Sequence, residues 1–274
     1  MKRFLTLFIL LAAVATMMAV RSKVIDEKNE FGGVTVKTTY STGMRYHTEE
    51  NVRETVEFFD ADSVVVKVRK FMLNGKMGYE YYDGGVLQRI EWERPQGTIE
   101  SVEHFSPAGV IMQVEWLNED DTTHVDQTVF MDGQGEVERI ERTPADKPRT
   151  IEHYEGDHVV RLDIYDECDW LAYTHHFDDR GHLRRREMFK PDGRLEKEFI
   201  YNEKEDLERE VWYLRTGKKT VDHYERGRKA KTEFFDRHNR LEKICYFNKD
   251  GEMTICEKYD DTGALTGTEE YNTD

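Results

Sequence analysis

Between residues 150 and 271, apolar and charged side chains alternate with period two in short runs, and each run closes on a small polar turn. Ile151-Glu-His-Tyr154, Leu162-Asp-Ile-Tyr165, Val221-Asp-His-Tyr224 and Thr232-Glu-Phe-Phe235 share one form. An acid stands two residues before an aromatic, and its neighbours are mostly apolar or aromatic. Period two predicts β-strands with the aromatics on one face and the charges on the other. The turns share a form as well. Phe177-Asp-Asp-Arg-Gly-His-Leu183, Phe189-Lys-Pro-Asp-Gly-Arg-Leu195 and Tyr259-Asp-Asp-Thr-Gly-Ala-Leu265 all read aromatic, polar, x, x, Gly, x, Leu. Gly181, Gly193, Gly251 and Gly263 supply the positive φ such a turn needs, and Asn239 takes that position in Phe235-Asp-Arg-His-Asn-Arg-Leu241.

With the aromatic as anchor, the series runs Tyr154, Tyr165, Phe177, Phe189, Tyr201, Tyr213, Tyr224, Phe235, Phe247, Tyr259 and Tyr271, every interval being 11 or 12 residues. A unit of that length holds a strand of about eight residues and a turn of about four. The pattern therefore predicts an all-β fold, an extended antiparallel β-meander of tandem hairpins with about 23 residues per hairpin. Eleven such strands would span about 50 Å, and a sheet that wide is expected to curl or split. A looser series, Phe59, Phe71, Tyr82, Trp92, Phe105, Trp116 and Phe130, lies upstream. Regularity fails around Pro144 and Pro148, which divides the chain into an irregular part, 20–143, and a regular part, 144–274.

Composition first points elsewhere. Charged residues make up 35% of the 274, the hydrophobic set only 38%, and the formal charge is −16. That balance leans towards disorder, but four Trp, 14 Tyr and 14 Phe oppose it. Bases following the turns, such as Arg184-Arg185-Arg186 and Lys218-Lys219, would sit beside acids of adjacent strands and reconcile high charge with strand formation. Lys2 and Arg3 precede an apolar run, Phe4–Val20, in which Ala13-Val14-Ala15 and Ala19 offer cleavage positions, so residues 1–19 read as a cleaved signal peptide, the alternative being an uncleaved N-terminal membrane anchor. Its removal takes away two positive charges and leaves −18. Such acidity argues against nucleic acid as a partner. No other segment is apolar enough to span a membrane, so the mature chain is expected to be exported by a bacterium, in the periplasm, at the outer membrane or secreted. Cys245 and Cys256 fall in successive strands and form either a cross-strand disulfide or two small buried thiols, depending on register.

The stretch Asn74-Gly-Lys-Met-Gly-Tyr-Glu-Tyr-Tyr-Asp-Gly-Gly-Val-Leu87 resembles the MORN-variant hairpin repeats of bacterial proteins, including the YwqK-type antitoxin family. The aromatic-Asp-x-x-Gly-x-Leu heptads are also similar, more weakly, to the YD repeats of Rhs-type shells. The resemblance covers about residues 55–271 and implies a β-hairpin repeat scaffold. The chain lacks most internal glycines of MORN repeats and is too short for a closed Rhs shell.

No residue set stands out as catalytic. His104, His153, His176 and His223 each precede an anchor, but His153 and His176 are two strands apart, about 10 Å, which is too far to share one metal ion directly. Carboxylates recur with the repeat rather than forming one constellation. Glu119-Asp120-Asp121 lacks the spacing of a calcium loop. No catalytic residue, cofactor or metal is therefore assigned. The expected function is a non-enzymatic scaffold for a protein or glycan partner at the cell envelope. The alternatives are an antitoxin or immunity protein, which the family resemblance suggests, and an enzyme with an unfamiliar carboxylate site.

Overall fold

The structure is a computed structural model that describes residues 21–39, 52–72 and 74–271. The expected signal peptide lies outside the described residues. Those residues contain 21 β-strands and no helix, and so none long and apolar enough to cross a membrane. The chain falls into two compact units, Met1–Val137 and Glu138–Asp274. The first holds β1 (Arg21–Asp26), β2 (Gly32–Thr39), β3 (Val52–Asp60), β4 (Val65–Met72), β5 (Met77–Asp83), β6 (Val86–Glu93), β7 (Ile99–Phe105), β8 (Ile111–Leu117) and β9 (Val125–Met131). With β10 (Val137–Arg142) begins the second: β11 (Thr150–Glu155), β12 (His158–Tyr165), β13 (Leu171–Phe177), β14 (Leu183–Phe189), β15 (Leu195–Tyr201), β16 (Leu207–Tyr213), β17 (Lys219–Glu225), β18 (Arg228–Phe235), β19 (Leu241–Phe247), β20 (Met253–Tyr259) and β21 (Leu265–Glu270). Within each unit successive strands pair antiparallel. The meander of hairpins expected from the sequence is the fold.

In most of the five-residue turns of the second unit one side chain organises the backbone. Asp178 follows the anchor Phe177, and its Oδ1 accepts the N–H groups of Arg180 at 3.0 Å and His182 at 2.9 Å. Its own N–H donates to the His182 carbonyl, and its carbonyl accepts from Gly181, both at 3.0 Å. Asp166, Asn202, Asp236, Asn248 and Asp260 repeat the two side-chain bonds. The third residue after the turn Asp or Asn is left-handed: φ is 80° at Gly181, 84° at Gly251, 85° at Gly263 and 63° at Asn239, and Gly193 has 79° in its own turn. Ser63, Asp169 and Glu205 hold the same position without glycine, at 66°, 61° and 61°.

The intervals have a structural reading. A 12-residue unit is a five-residue turn plus a seven-residue strand whose pairing shifts register at the anchor, as between His176 and Phe177. The β16–β17 pair has no shift, and there Tyr213 and Tyr224 are 11 apart. The two-residue turns Gly156-Asp157 and Arg226-Gly227 account for the other intervals of 11.

The faces differ from the expectation. Directly opposed residues of antiparallel strands share a face. Register places the residue before an anchor opposite the residue four before the preceding anchor, as with Met188 and Tyr173. That offset is odd, so consecutive anchors fall on opposite faces. Tyr154, Phe177, Tyr201, Tyr224, Phe247 and Tyr271 project on one side, and Tyr165, Phe189, Tyr213, Phe235 and Tyr259 on the other. Each acid two residues before an anchor shares that anchor's face, and the hydroxyls of Tyr154 and Tyr259 donate to Glu152 and Glu257 at 2.7 Å. The expected division into an aromatic and a charged face is thus overturned. Both faces carry the same mixture.

Burial follows suit. Val56, Val68, Ile151, Val211 and Val221 are the buried aliphatic residues, and Glu80, Asp163, Glu198 and Asp222 are as deeply covered. Cys245 stands directly opposite Cys256. The two are disulfide-bonded with Cα atoms 4.1 Å apart, and neither is exposed, so the open question of their state is resolved as a bond. Cys168 is free and exposed.

Two outcomes follow. Ser63→Gly should raise stability by up to about 1 kcal/mol, and Gly181→Ala should lower it by about as much, because a side chain at a left-handed position carries that order of penalty. A Cβ on Gly181 meets nothing within 4 Å, so the cost is conformational alone; denaturant midpoints measure both. Reduction of Cys245–Cys256 should lower amide-exchange protection across β19–β21 and leave β11–β15 unchanged, because in a repeat each strand leans only on its neighbours.

Candidate interaction surface

On the Asp163 face of the second unit, a row of acids runs beside a row of bases. Asp163, Glu187, Glu198 and Glu233 stand in the first row, and His153, Arg161, His176, Arg185, His223 and Lys231 in the second. The imidazole Nε2 atoms of His153, His176 and His223 lie 3.0, 3.1 and 3.0 Å from Asp163, Glu187 and Glu233. Arg161 reaches Asp163 at 2.7 Å and Lys231 reaches Glu233 at 2.6 Å. Arg185 bridges Glu187 and Glu198. Burial pushes the Asp163 carboxyl up, but bonds from Arg161, Thr174 and His153 hold it below its ordinary value. At Glu233 burial is likewise outweighed, by Lys231 and His223.

The opposite face closes its own contacts. Lys197 stacks 3.3 Å from the Trp212 ring centroid, Arg186 lies 4.1 Å from that of Phe199, and Lys229 pairs with Asp222 at 2.8 Å. Arg184 bonds Asp178 and the Asn202 carbonyl. The run Arg184-Arg185-Arg186, considered as a docking spot, is therefore engaged within the sheet at every position.

The first unit is arranged differently on its two faces. On one, Lys67 lies 5.3 and 5.1 Å from the Tyr79 and Tyr81 rings, and Arg89 lies 4.3 Å from Tyr81. On the other, Lys70, Gly78, Trp92, Ser101, Trp116 and Gln127 form one transverse row from β4 to β9. A Cβ built on Gly78 would come within 2.8 Å of the Trp92 ring, so the indole rests on the glycine. Trp92 Nε1 donates to Glu103 at 2.9 Å. Ser101 is 3% exposed and Trp116 is 43% exposed. Of the other exposed apolar side chains, Phe31, Trp170 and Leu214 belong to turns, and Ile25, Val86, Met112, Ile255 and Leu265 stand singly in strands.

The sequence-assigned anchors sit at strand ends and are half-buried, apart from the exposed Tyr271. They are distributed along the unit and do not converge on one site. The five assigned turn residues occupy their turns. Asp121, in the acidic run, accepts the Thr123 N–H at 3.0 Å and its hydroxyl at 2.6 Å, which hold its carboxyl below the ordinary value. Among the described residues no group of three or more His, Cys, Asp or Glu is arranged to hold a metal ion. The Trp92–Ser101–Trp116 row was not singled out from sequence. The 24 residues between the two tryptophans, two repeat units, are the signal that places them on one face.

No protein-family profile matches the chain, and no curated protein matches it. Among solved structures, it is similar to S. aureus TarM in complex with fondaparinux, α-GlcNAc-glycerol and UDP, at 7% identity and TM-score 0.29, over 36% of this chain and 19% of that one. TcdB2-TccC3 without its hypervariable C-terminal region gives 10% identity and TM-score 0.25, over 92% and 17%. A porin-like protein from Bacteroides uniformis gives 8% identity and TM-score 0.17, over 91% and 93%. The chain spans less than a fifth of the length of the TarM and TcdB2-TccC3 chains. At these scores none of them bears on function.

The titration behaviour of the pairs gives a two-sided expectation. The Arg240 amide N–H and guanidinium hold Asp236 down to about 2, and the His182 and Arg180 amides with Arg184 hold Asp178 lower still against the upward push of burial. Their folded values lie below the unfolded one of about 3.9, so their stabilisation is complete above that pH and is lost as pH falls towards 2. Burial and bonds to Glu93, Glu198 and Glu210 push Tyr79, Tyr213 and Tyr224 up to about 12, and the bond to Glu257 does the same for Tyr259. Raised values mean stability that is present below about pH 10 and lost as pH rises through 12. Denaturant midpoints should form a plateau between these limits, and phenolate absorbance should show a late-ionising class near pH 12. Asp236→Asn should flatten the acid limb.

Proposed function

We propose that the chain is an exported, non-enzymatic repeat scaffold that holds a protein or glycan partner at the cell envelope. The observation that carries this reading is the state of its polar groups. On the Asp163 face, His153, His176, Arg185 and His223 are engaged with Asp163, Glu187, Glu198 and Glu233 across neighbouring strands. Such pairs stabilise a surface, and the groups that form them are held by one another rather than by a substrate. The basic and apolar N-terminus read from the sequence supports export, and the MORN-like hairpin pattern supports a scaffold. Repeat sheets offer extended contact areas, on which tryptophans are the residues most enriched at binding hot spots.

Cell fractionation with crosslinking in intact cells tests the reading. The expected result is a chain shortened by its signal segment, recovered from the exported fraction in a crosslinked adduct with protein or glycan. Recovery of the full-length chain from the cytosol, or an exported chain that forms no adduct under any growth condition tried, would overturn it.

A further inference from the structure

The transverse row of the first unit differs from the paired surface around it. Across β5 to β8, Gly78, Trp92, Ser101 and Trp116 are directly opposed in sequence and share a face. Two large indoles alternate with two of the smallest residues. The six-membered ring of the Trp92 indole lies against Gly78, and Trp92 as a whole is half-buried. Trp116 occupies the same face two strands away, about 10 Å, with 43% of its surface open. The charge beside the row is already committed. Lys70 pairs with Glu80, the Tyr82 hydroxyl donates to Glu80 at 2.8 Å, and Glu103 accepts the Trp92 N–H. What the row leaves open to solvent is indole, part of Trp92 and 43% of Trp116, with the half-buried Gln127 next to Trp116 as a polar neighbour.

We infer that Trp92 and Trp116 form a stacking platform for a neutral polysaccharide chain laid across β6–β8. This deepens the scaffold reading and rests on it. A pyranose ring presents an apolar C–H face and keeps its hydroxyls at the rim, so it stacks on an indole while still hydrogen-bonding to water or an amide. Two platforms on one face, with the small Ser101 directly between them, suit successive contacts along one extended chain. Nucleic-acid bases also stack on aromatics, but their phosphates would meet Glu57, Glu80 and Glu103 on this face of a chain with formal charge −16. A cationic peptide would find Glu80 and Glu103 already bonded.

Affinity electrophoresis of the mature chain through gels containing hydroxyethyl cellulose, xylan, galactomannan or mixed-linkage β-glucan tests the inference. Retardation in at least one gel is expected. Trp116→Ala should weaken it about tenfold, the loss of one aromatic anchor. Trp116 is 43% exposed, so the variant should keep the wild-type thermal midpoint. Gly78→Ala, which pushes the Trp92 ring off its seat, should weaken it as well, and Trp170→Ala, in a turn of the second unit, should leave it unchanged. No retardation in any of the four gels, or retardation that survives Trp116→Ala, would overturn the inference. A crosslinked protein partner recovered alongside either of those results would leave the scaffold reading in place, whereas cytosolic recovery of the chain would remove that reading independently of the gels.

Discussion

Each strand of this protein depends on the strand before it and the strand after it, and within each unit no substantial contact joins strands further apart in sequence. Among the described residues of each unit no second layer packs on the sheet, so backbone ladders set its geometry and cross-strand side-chain pairs must shield them. An aliphatic face would be an exposed apolar patch and an aggregation hazard. An unpaired charged face would repel itself. Rows of acid beside base, with aromatic rings lying against cations, avoid both. Single exposed pairs contribute at most about 1 kcal/mol each, but here they continue from strand to strand, and a partner such as Asp163, held by His153 and Arg161, is buried. A charged fraction of 35% is therefore a structural requirement of an uncovered sheet.

The same constraint limits chemistry. A general acid needs a carboxyl raised towards neutrality, and a general base needs a lone pair free to receive a proton. The repeat does the reverse at Asp163 and Glu233, whose partners hold the ionised form. Glu57 is the exception, raised by burial and by the nearby Glu80. It stands opposite Val36 and Val68 on a sheet face, with no nucleophile directly across from it on either neighbouring strand.

Much of this fold was legible in the sequence because a repeat states its local rules many times. The 12-residue interval located strand ends, and Asp178 and Gly181 specified a turn whose bonds the structure bears out. Face assignment was not legible. Period two fixes sides within one strand, but the side shared with the next strand depends on turn length and on the register shift at the anchor. An offset of three residues, Met188 against Tyr173, reversed the expected pattern throughout the second unit. The disulfide was open for the same reason. Once Tyr246 pairs with Ile255, Cys245 must meet Cys256. The paired histidines were visible as a shared slot, but their acid partners lie on the following strand and only register brings them together.

A surface that satisfies itself at every repeat has little left for a partner, so binding chemistry must come from departures from the repeat. The departures are specific. In the second unit, the row His153, Arg161, His176 and Arg185 is filled by bases that reach for acids. In the Trp92 row two positions are small instead, Gly78 and Ser101, and the Trp92 indole lies against the glycine. A large side chain at either small position would fill the space over which a ring can lie. A small residue in place of either tryptophan would set small side chains side by side along the row and leave backbone uncovered. Neither change preserves the row, so its alternation of large and small is better explained by the surface it creates than by the stability of the strands beneath it.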